Sequence, residues 1–211
     1  MKISVAGCEL TLKELEDEDG LGYVFHWQTE ITAPALTNWG RGLEKLGDAL
    51  LPVALLGTSG DTPSASQTSA FEWLQKELAS LLPRIQMQCE AAWKECYYWE
   101  GNEMDEDDEY FIESIRIPPN AAPLDGPARK ASLPSLIIVD LEQDWEVEHG
   151  FYIVIDPAKP DADHWTTWDG LAELGLVVDD ELDDEDDFED DDDFDDDDDF
   201  DDDEEDFDDD E

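Results

Sequence analysis

The sequence predicts an α+β domain, an antiparallel sheet packed on one long amphipathic helix, followed by a disordered acidic tail. Three observations predict it. Short runs rich in apolar, aromatic and β-branched residues recur between turn residues, as strands do. One stretch, Ser69–Trp99, holds an apolar period of three or four residues, as a helix does. Acids crowd one end of the chain: of the 33 residues 179–211, 28 are Asp or Glu. Short strands around a single helix, joined by short spacings, give α+β rather than alternating β–α units. The chain therefore reads as a globular domain over residues 1–178 and a tail over 179–211.

Lys2–Val5 and Glu9–Leu12 are β-like runs around Gly7, and Leu15–Gly20 is an acidic turn. Gly22–Ile31 is aromatic and β-branched and reads as a strand. Gly40–Leu51 reads as a short helix with Leu43, Leu46, Leu50 and Leu51 on one face. Ala49–Gly57 is the most apolar run of the chain, short and interrupted by Pro52. Gly57–Thr68, rich in Gly, Ser, Thr and Pro, is expected to be a mobile loop. Ser69-Ala-Phe-Glu72 has capping-box spacing. Behind it Phe71, Leu74, Leu78, Leu81, Ile85, Cys89, Ala92 and Cys96 fall on one helical stripe, widened by Trp93 and Tyr97. Pro83 lies inside and predicts a kink or two abutting helices, because it lacks an N–H and crowds the preceding turn. Gly101 ends the helix and 102–109 is an acidic loop. Tyr110–Ile117 alternates imperfectly as a strand, and Pro118–Pro134 is irregular. Leu136–Leu141 reads as a central strand, Phe151–Ile155 as another, His164–Trp168 as a last short strand and Leu171–Leu176 as a terminal helical turn.

Charge excludes several function classes. The chain holds 11 basic and 61 acidic residues, a formal charge of −50. Outside the tail, 33 acids face the 11 bases. Nucleic-acid backbones are bound by Lys and Arg that displace counterions, so no direct nucleic-acid contact is expected. An anionic membrane is disfavoured for the same reason, and no run approaches the ~20 apolar residues of a membrane span. Met1-Lys2-Ile3 leads into polar residues rather than the apolar core of a secretory leader. Three cysteines, Cys8, Cys89 and Cys96, form no disulfide framework and fit a reducing compartment. The expected location is the cytoplasm.

Asp144-Trp145-Glu146-Val147-Glu148-His149-Gly150 resembles the W-D-x-E-H-G segment of an uncharacterised bacterial family, the domain of unknown function 6985 and its relatives. That family's pattern has an apolar strand on each side of the motif, where Leu136–Leu141 and Phe151–Ile155 stand, and an amphipathic helix upstream, where Ser69–Trp99 stands. The resemblance spans Thr68 to Gly170. The chain departs from it at Glu146, where the family has Asp, and at Pro157–Asp163, where the family has a Gly-containing turn. The resemblance implies a bacterial protein with an immunity or binding role and carries no assigned activity.

Candidate site residues each have a chemical and a structural reading. Asp144, Glu148 and His149 would serve acid–base catalysis if they converged, a carboxylate orienting the imidazole. No nucleophile lies beside them, and a tight turn at Gly150 with Trp145 packed inward accounts for the same residues. His164, Trp165 and Trp168 would make an aromatic binding platform, or else core. Cys89 and Cys96 lack the C-x-x-C or further ligands of a zinc site. His26, His149 and His164 share no metal-binding spacing. With Gly20 as the turn glycine of a calcium loop, the first ligand would be Leu15, which cannot coordinate. No metal or cofactor is expected.

The tail carries two readings. One is a self-repelling, solubilising brush. The other is a polyanion that engages basic proteins, with Phe188, Phe194, Phe200 and Phe207, spaced six, six and seven apart, entering apolar pockets. The expected function is non-enzymatic protein binding, immunity-like or chaperone-like, with basic proteins as partners. The alternatives are an enzyme centred on Asp144, Glu148 and His149, and an acidic domain with a solubility tail alone.

Overall fold

The computed structural model describes residues 1–14, 23–36, 39–40, 50–96, 110–120, 127–143 and 150–177. The chain divides after Asp180 into two units, and the following concerns the first. Strands β1 (Lys2–Val5), β2 (Cys8–Glu14), β3 (Phe25–Thr32) and β4 (Leu50–Gly57) precede helix α1 (Ala65–Cys96). After it come β5 (Tyr110–Ile117), β6 (Ile137–Gln143), β7 (Tyr152–Ile155), β8 (His164–Thr166) and the short helix α2 (Trp168–Glu173). The eight strands form one sheet in sequence order. Every neighbouring pair is antiparallel except β4 and β5, which are parallel because α1 carries the chain back across the sheet between them. The α+β class is as the sequence predicts.

Each strand sends alternate residues to a core under α1. Leu10, Trp27, Val53, Ile115, Val139 and Ile153 meet the helical stripe Phe71, Leu74, Leu78, Leu81, Ile85, Cys89 and Ala92, all buried. At Val5–Cys8 the chain reverses through Ala6 and Gly7 at φ 50° and 82°, the double left-handed turn that matches strand twist. The imperfect alternation in β5 is a bulge: pairing to β6 shifts between Ile112 and Ser114, so Tyr110 and Ile112 share the helix side with Ile115 and Ile117.

Four expectations are corrected. The run from Leu50 is not the end of a helix but strand β4. It reads as continuous apolar sequence because Leu51, Val53 and Leu55 fill the core under α1 while Leu56 fills a second core on the other face. Pro52 fits because β5 pairs with β4 only from Val53 onward. Residues 41–49 lie outside the described residues. The helix starts one turn earlier than predicted, which shortens the preceding loop, and the capping box is Ser64/Gln67, not Ser69/Glu72. The Gln67 N–H donates to Ser64 Oγ at 3.2 Å and the Ser64 N–H to Gln67 Oε1 at 3.0 Å. Two ties hold that loop: Trp27 Nε1 donates to the Asp61 carbonyl and Ser59 Oγ to the Asp61 carboxylate, each at 2.7 Å. Finally, α1 is one helix through Pro83 rather than two abutting ones. The carbonyl that Pro83 leaves without a donor belongs to Ala79, and both residues are solvent-exposed.

The opposite face of the sheet is divided. Over β4, β6 and β7 it is apolar, and α2 with the residues after it covers it: Leu171, Leu176 and Val177 pack on Leu56, Ile138 and Val154. Over β2, β3 and the middle of β5 the same face is polar, with Thr11, Lys13, His26, Gln28, Ser114 and Arg116. Among the described residues no helix is long and apolar enough to cross a membrane.

Candidate functional site

The polar half of that face holds a groove of about 650 Å³. Strand register builds it. Thr11 pairs with Gln28, Gln28 with Ala54, Ala54 with Arg116 and Arg116 with Ile138, so one row crosses five strands and interleaves polar with apolar residues. A neighbouring row sets Lys13 against His26. Alternation in the strands makes this face polar: Glu9, Thr11 and Lys13, then His26, Gln28 and Glu30, then Ser114 and Arg116 stand two residues apart and point away from α1.

At one wall, Arg116 Nη2 donates to Asp140 Oδ2 at 2.6 Å, and Ser114 Oγ donates to the same oxygen at 3.3 Å. Both charged side chains are largely withdrawn from solvent, where an ion pair of this geometry offsets part of the cost of desolvating them. On the other side, His26 is held at both ring nitrogens. Nε2–H donates to the Tyr23 carbonyl at 2.7 Å and Nδ1 accepts from Gln28 Nε2 at 3.4 Å. This ring orients its neighbours, since its Nε2 proton is already committed to a carbonyl. Glu9, Lys13 and Glu30 are exposed around it. The groove thus offers donors, acceptors and charges of both signs on a rigid sheet, the equipment of a recognition surface.

The residues singled out from sequence are scattered. Asp144, Trp145, Glu148 and His149 lie outside the described residues, in the segment joining β6 to β7, and so do Phe188, Phe194, Phe200 and Phe207. Gly150 has φ +66°, and a Cβ there would stand 2.8 Å from Tyr152 Oη, so the backbone requires glycine. Trp165 and Trp168 belong to different cores. Trp165 stacks on Phe151 at 6.0 Å beneath α1, while Trp168 packs with Leu171 on the opposite face. His164 is exposed and its Nδ1–H donates to the Ala162 carbonyl at 3.0 Å. It stands on β8 and His26 on β3, five strands apart in the sheet order.

Cys89 is buried on the helical stripe, and burial pushes its thiol up to about 12. Cys8 accepts a hydrogen bond from Gln75 Nε2 at 2.9 Å. The side chain of Cys96 lies outside the described residues. Among the described residues no three His, Cys, Asp or Glu side chains cluster as metal ligands.

Two further carboxylates set the loop after β7. Burial alone would raise Asp156, but hydrogen bonds from Arg129 at 2.9 and 2.6 Å, the Ala158 N–H and the guanidinium charge outweigh it and hold the carboxyl below 3.8. At Asp163 burial prevails and raises the carboxyl, although Arg84 Nε donates to it at 2.7 Å.

Sequence reading missed the groove. Its only signal was the i, i+2 recurrence of polar residues in strands, which says that a face is polar but not that it stays uncovered.

Fold and groove together define a class: an α+β domain with one long helix on one face of an eight-stranded sheet and, among the described residues, a polar groove on the other. No family model matches the chain. Neither a curated protein nor a solved structure matches it.

Proposed function

We propose that this chain is a non-enzymatic, cytoplasmic bacterial protein-binding domain whose polyanionic tail engages basic partners. The polar face carries the reading: α1 covers one side of the sheet, while among the described residues part of the other is a groove lined by Glu9, Lys13, Glu30 and Arg116. In this reading the groove supplies specificity. The 28 acids of residues 179–211 supply long-range attraction and a fast encounter. A basic toxin neutralised by the domain, or a basic protein chaperoned by it, is the partner this division of labour fits, in keeping with the immunity-like role that the W-D-x-E-H-G resemblance implies.

The test is a tagged pull-down from the native host, read by mass spectrometry at low and at high salt. It compares the full chain, a full-length variant with the tail acids exchanged for Asn and Gln, and a groove variant, Glu9→Lys/Glu30→Lys. A basic partner held by the full chain, lost at high salt and weakened in both variants is expected. Capture that ignores salt and both sets of substitutions would sink the reading, and a change in solubility alone on neutralising the tail would reduce the tail to a brush.

A further inference from the structure

A second cavity, of about 410 Å³, lies away from the groove, where the segment entering β6 meets the end of β7 and the residues after α2. Its chemistry is out of keeping with the chain. Three of the eleven basic residues, Arg129, Lys130 and Lys159, line it, and no carboxylate is among the described residues that do. Arg129 is already spent: its guanidinium grips both oxygens of Asp156 and its Nε donates to the Pro134 carbonyl at 2.8 Å. That clamp, with Asn120 Nδ2 donating to the Lys130 and Leu133 carbonyls at 3.3 Å, fixes the turn that carries Lys130. Lys159 is fixed from the other side, its N–H donating to the Asp156 carbonyl at 3.1 Å. Both ammonium groups are exposed, and neither forms an ion pair among the described residues. Behind them the wall is apolar, with Leu133, Leu136, Leu174 and Leu176.

Two lysines do nothing for solubility in a chain of charge −50. The volume lies within the ~300–1,000 Å³ of small-molecule sites, which pair apolar walls with a few placed polar groups. We propose that this cavity binds a small amphipathic anion. Its anionic head lies between Lys130 and Lys159 and its apolar body against Leu136 and Leu176. The chemistry is that of a carboxylate or comparable single head on a short hydrocarbon. The head is held by the point charges of the two ammonium groups rather than by a bidentate guanidinium, because Arg129 is engaged with Asp156.

The probe is octanoate, titrated calorimetrically into the full chain at physiological ionic strength, with octylamine as the cationic comparator. Octanoate is expected to bind at least about tenfold more tightly than octylamine, and Lys130→Gln/Lys159→Gln to lose at least about tenfold in octanoate affinity, from two ammonium–anion contacts. Both lysines are exposed, so the urea midpoint should not move. Lys130→Arg/Lys159→Arg should restore binding and keep the result independent of folding. No heat from octanoate, equal binding of octanoate and octylamine, or undiminished binding by the Gln variant would each overturn the proposal.

Discussion

Replacing Gln67 with Glu exchanges one nitrogen for one oxygen and is expected to destabilise the fold by about 3 kcal/mol. Gln67 is 3 % exposed and stands in the first turn of α1. Its Nε2 donates to the Leu56 and Ile117 carbonyls, each at 2.8 Å, where the parallel pair β4–β5 runs out beneath the helix. Its Oε1 accepts from the Ser64 N–H and hydroxyl. Gln67→Glu keeps the capping acceptor and removes both donors. Two lost hydrogen bonds amount to ~1–3 kcal/mol, and the two buried carbonyls then face an oxygen. Protonating the introduced carboxyl would restore one donor, but at pH 7 that costs ~3.7 kcal/mol against a reference pKa of ~4.3. The deficit therefore lies near 3 kcal/mol at pH 7. Because the introduced group's folded pKa is raised, the deficit shrinks as pH falls through that value toward ~4.3. With a urea slope of ~2 kcal/mol/M, the midpoint should fall by ~1.5 M. Ser64→Ala, which breaks only the cap, should lose ~1 kcal/mol at any pH. Equal midpoints for the two variants at pH 7, with no recovery of Gln67→Glu in acid, would refute the bridge.

Asp156 and Asp163 should leave opposite marks on acid unfolding. Asp156 is held below 3.8, so its stabilisation is present above 3.8 and lost as pH falls further, and Asp156→Asn should flatten that limb in urea titrations. Asp163 is raised, so its ionised form costs stability at neutral pH and the cost is relieved as pH falls toward 3.8; Asp163→Asn should steepen the net acid loss. Cys89, its thiol pushed up to about 12 and fully buried, should escape iodoacetamide in the native protein and react in urea, as peptide mapping by mass spectrometry would show. Gly40→Ala should lower the urea midpoint by ~1 M or less, because φ is +88° and the new Cβ would stand 2.6 Å from the Tyr110 carbonyl.

Much of the fold was legible because its strands are half-buried or bounded by turns. Gly7 marked the first hairpin, and the stripe from Phe71 to Ala92 marked the helix face that is buried. β4 was not legible, because a strand apolar on both sides has no period and Pro52 argues against a strand until the parallel neighbour is seen to start at Val53. The cap was misplaced by one turn because Ser69/Glu72 and Ser64/Gln67 share the same spacing; only Gln67, needed by two strand ends, decides between them. Trp165 and Trp168, three residues apart, read as one cluster, but the chain leaves β8 and enters α2 between them and sends them to opposite faces. Arg116 and Asp140 are separated by 24 residues, and only the register of β5 on β6 makes them a pair.

The division of the second face also says how a partner must bind there. Along the row Thr11, Gln28, Ala54, Arg116, Ile138 polar and apolar residues interleave, and the core packed from the α2 side reaches Ala54 and Leu56 on β4. Among the described residues the groove joins Thr11, Gln28 and Ser114, which are stable in water as they stand, to Pro52, Val53 and Ala54. Association on such a surface draws on hydrogen bonds and on charge pairs with Glu9, Lys13 and Glu30 at the rim as well as on the hydrocarbon of Pro52 and Ala54. Rim charges act mainly on the rate of encounter and its salt dependence. A partner held by this groove and attracted by the tail would then show one common signature. Its association rate would collapse with salt while its dissociation rate changed little, whereas an apolar interface would show the reverse insensitivity. Stopped-flow binding across a salt series separates the two, and a salt-independent association rate would remove the groove from the binding reaction.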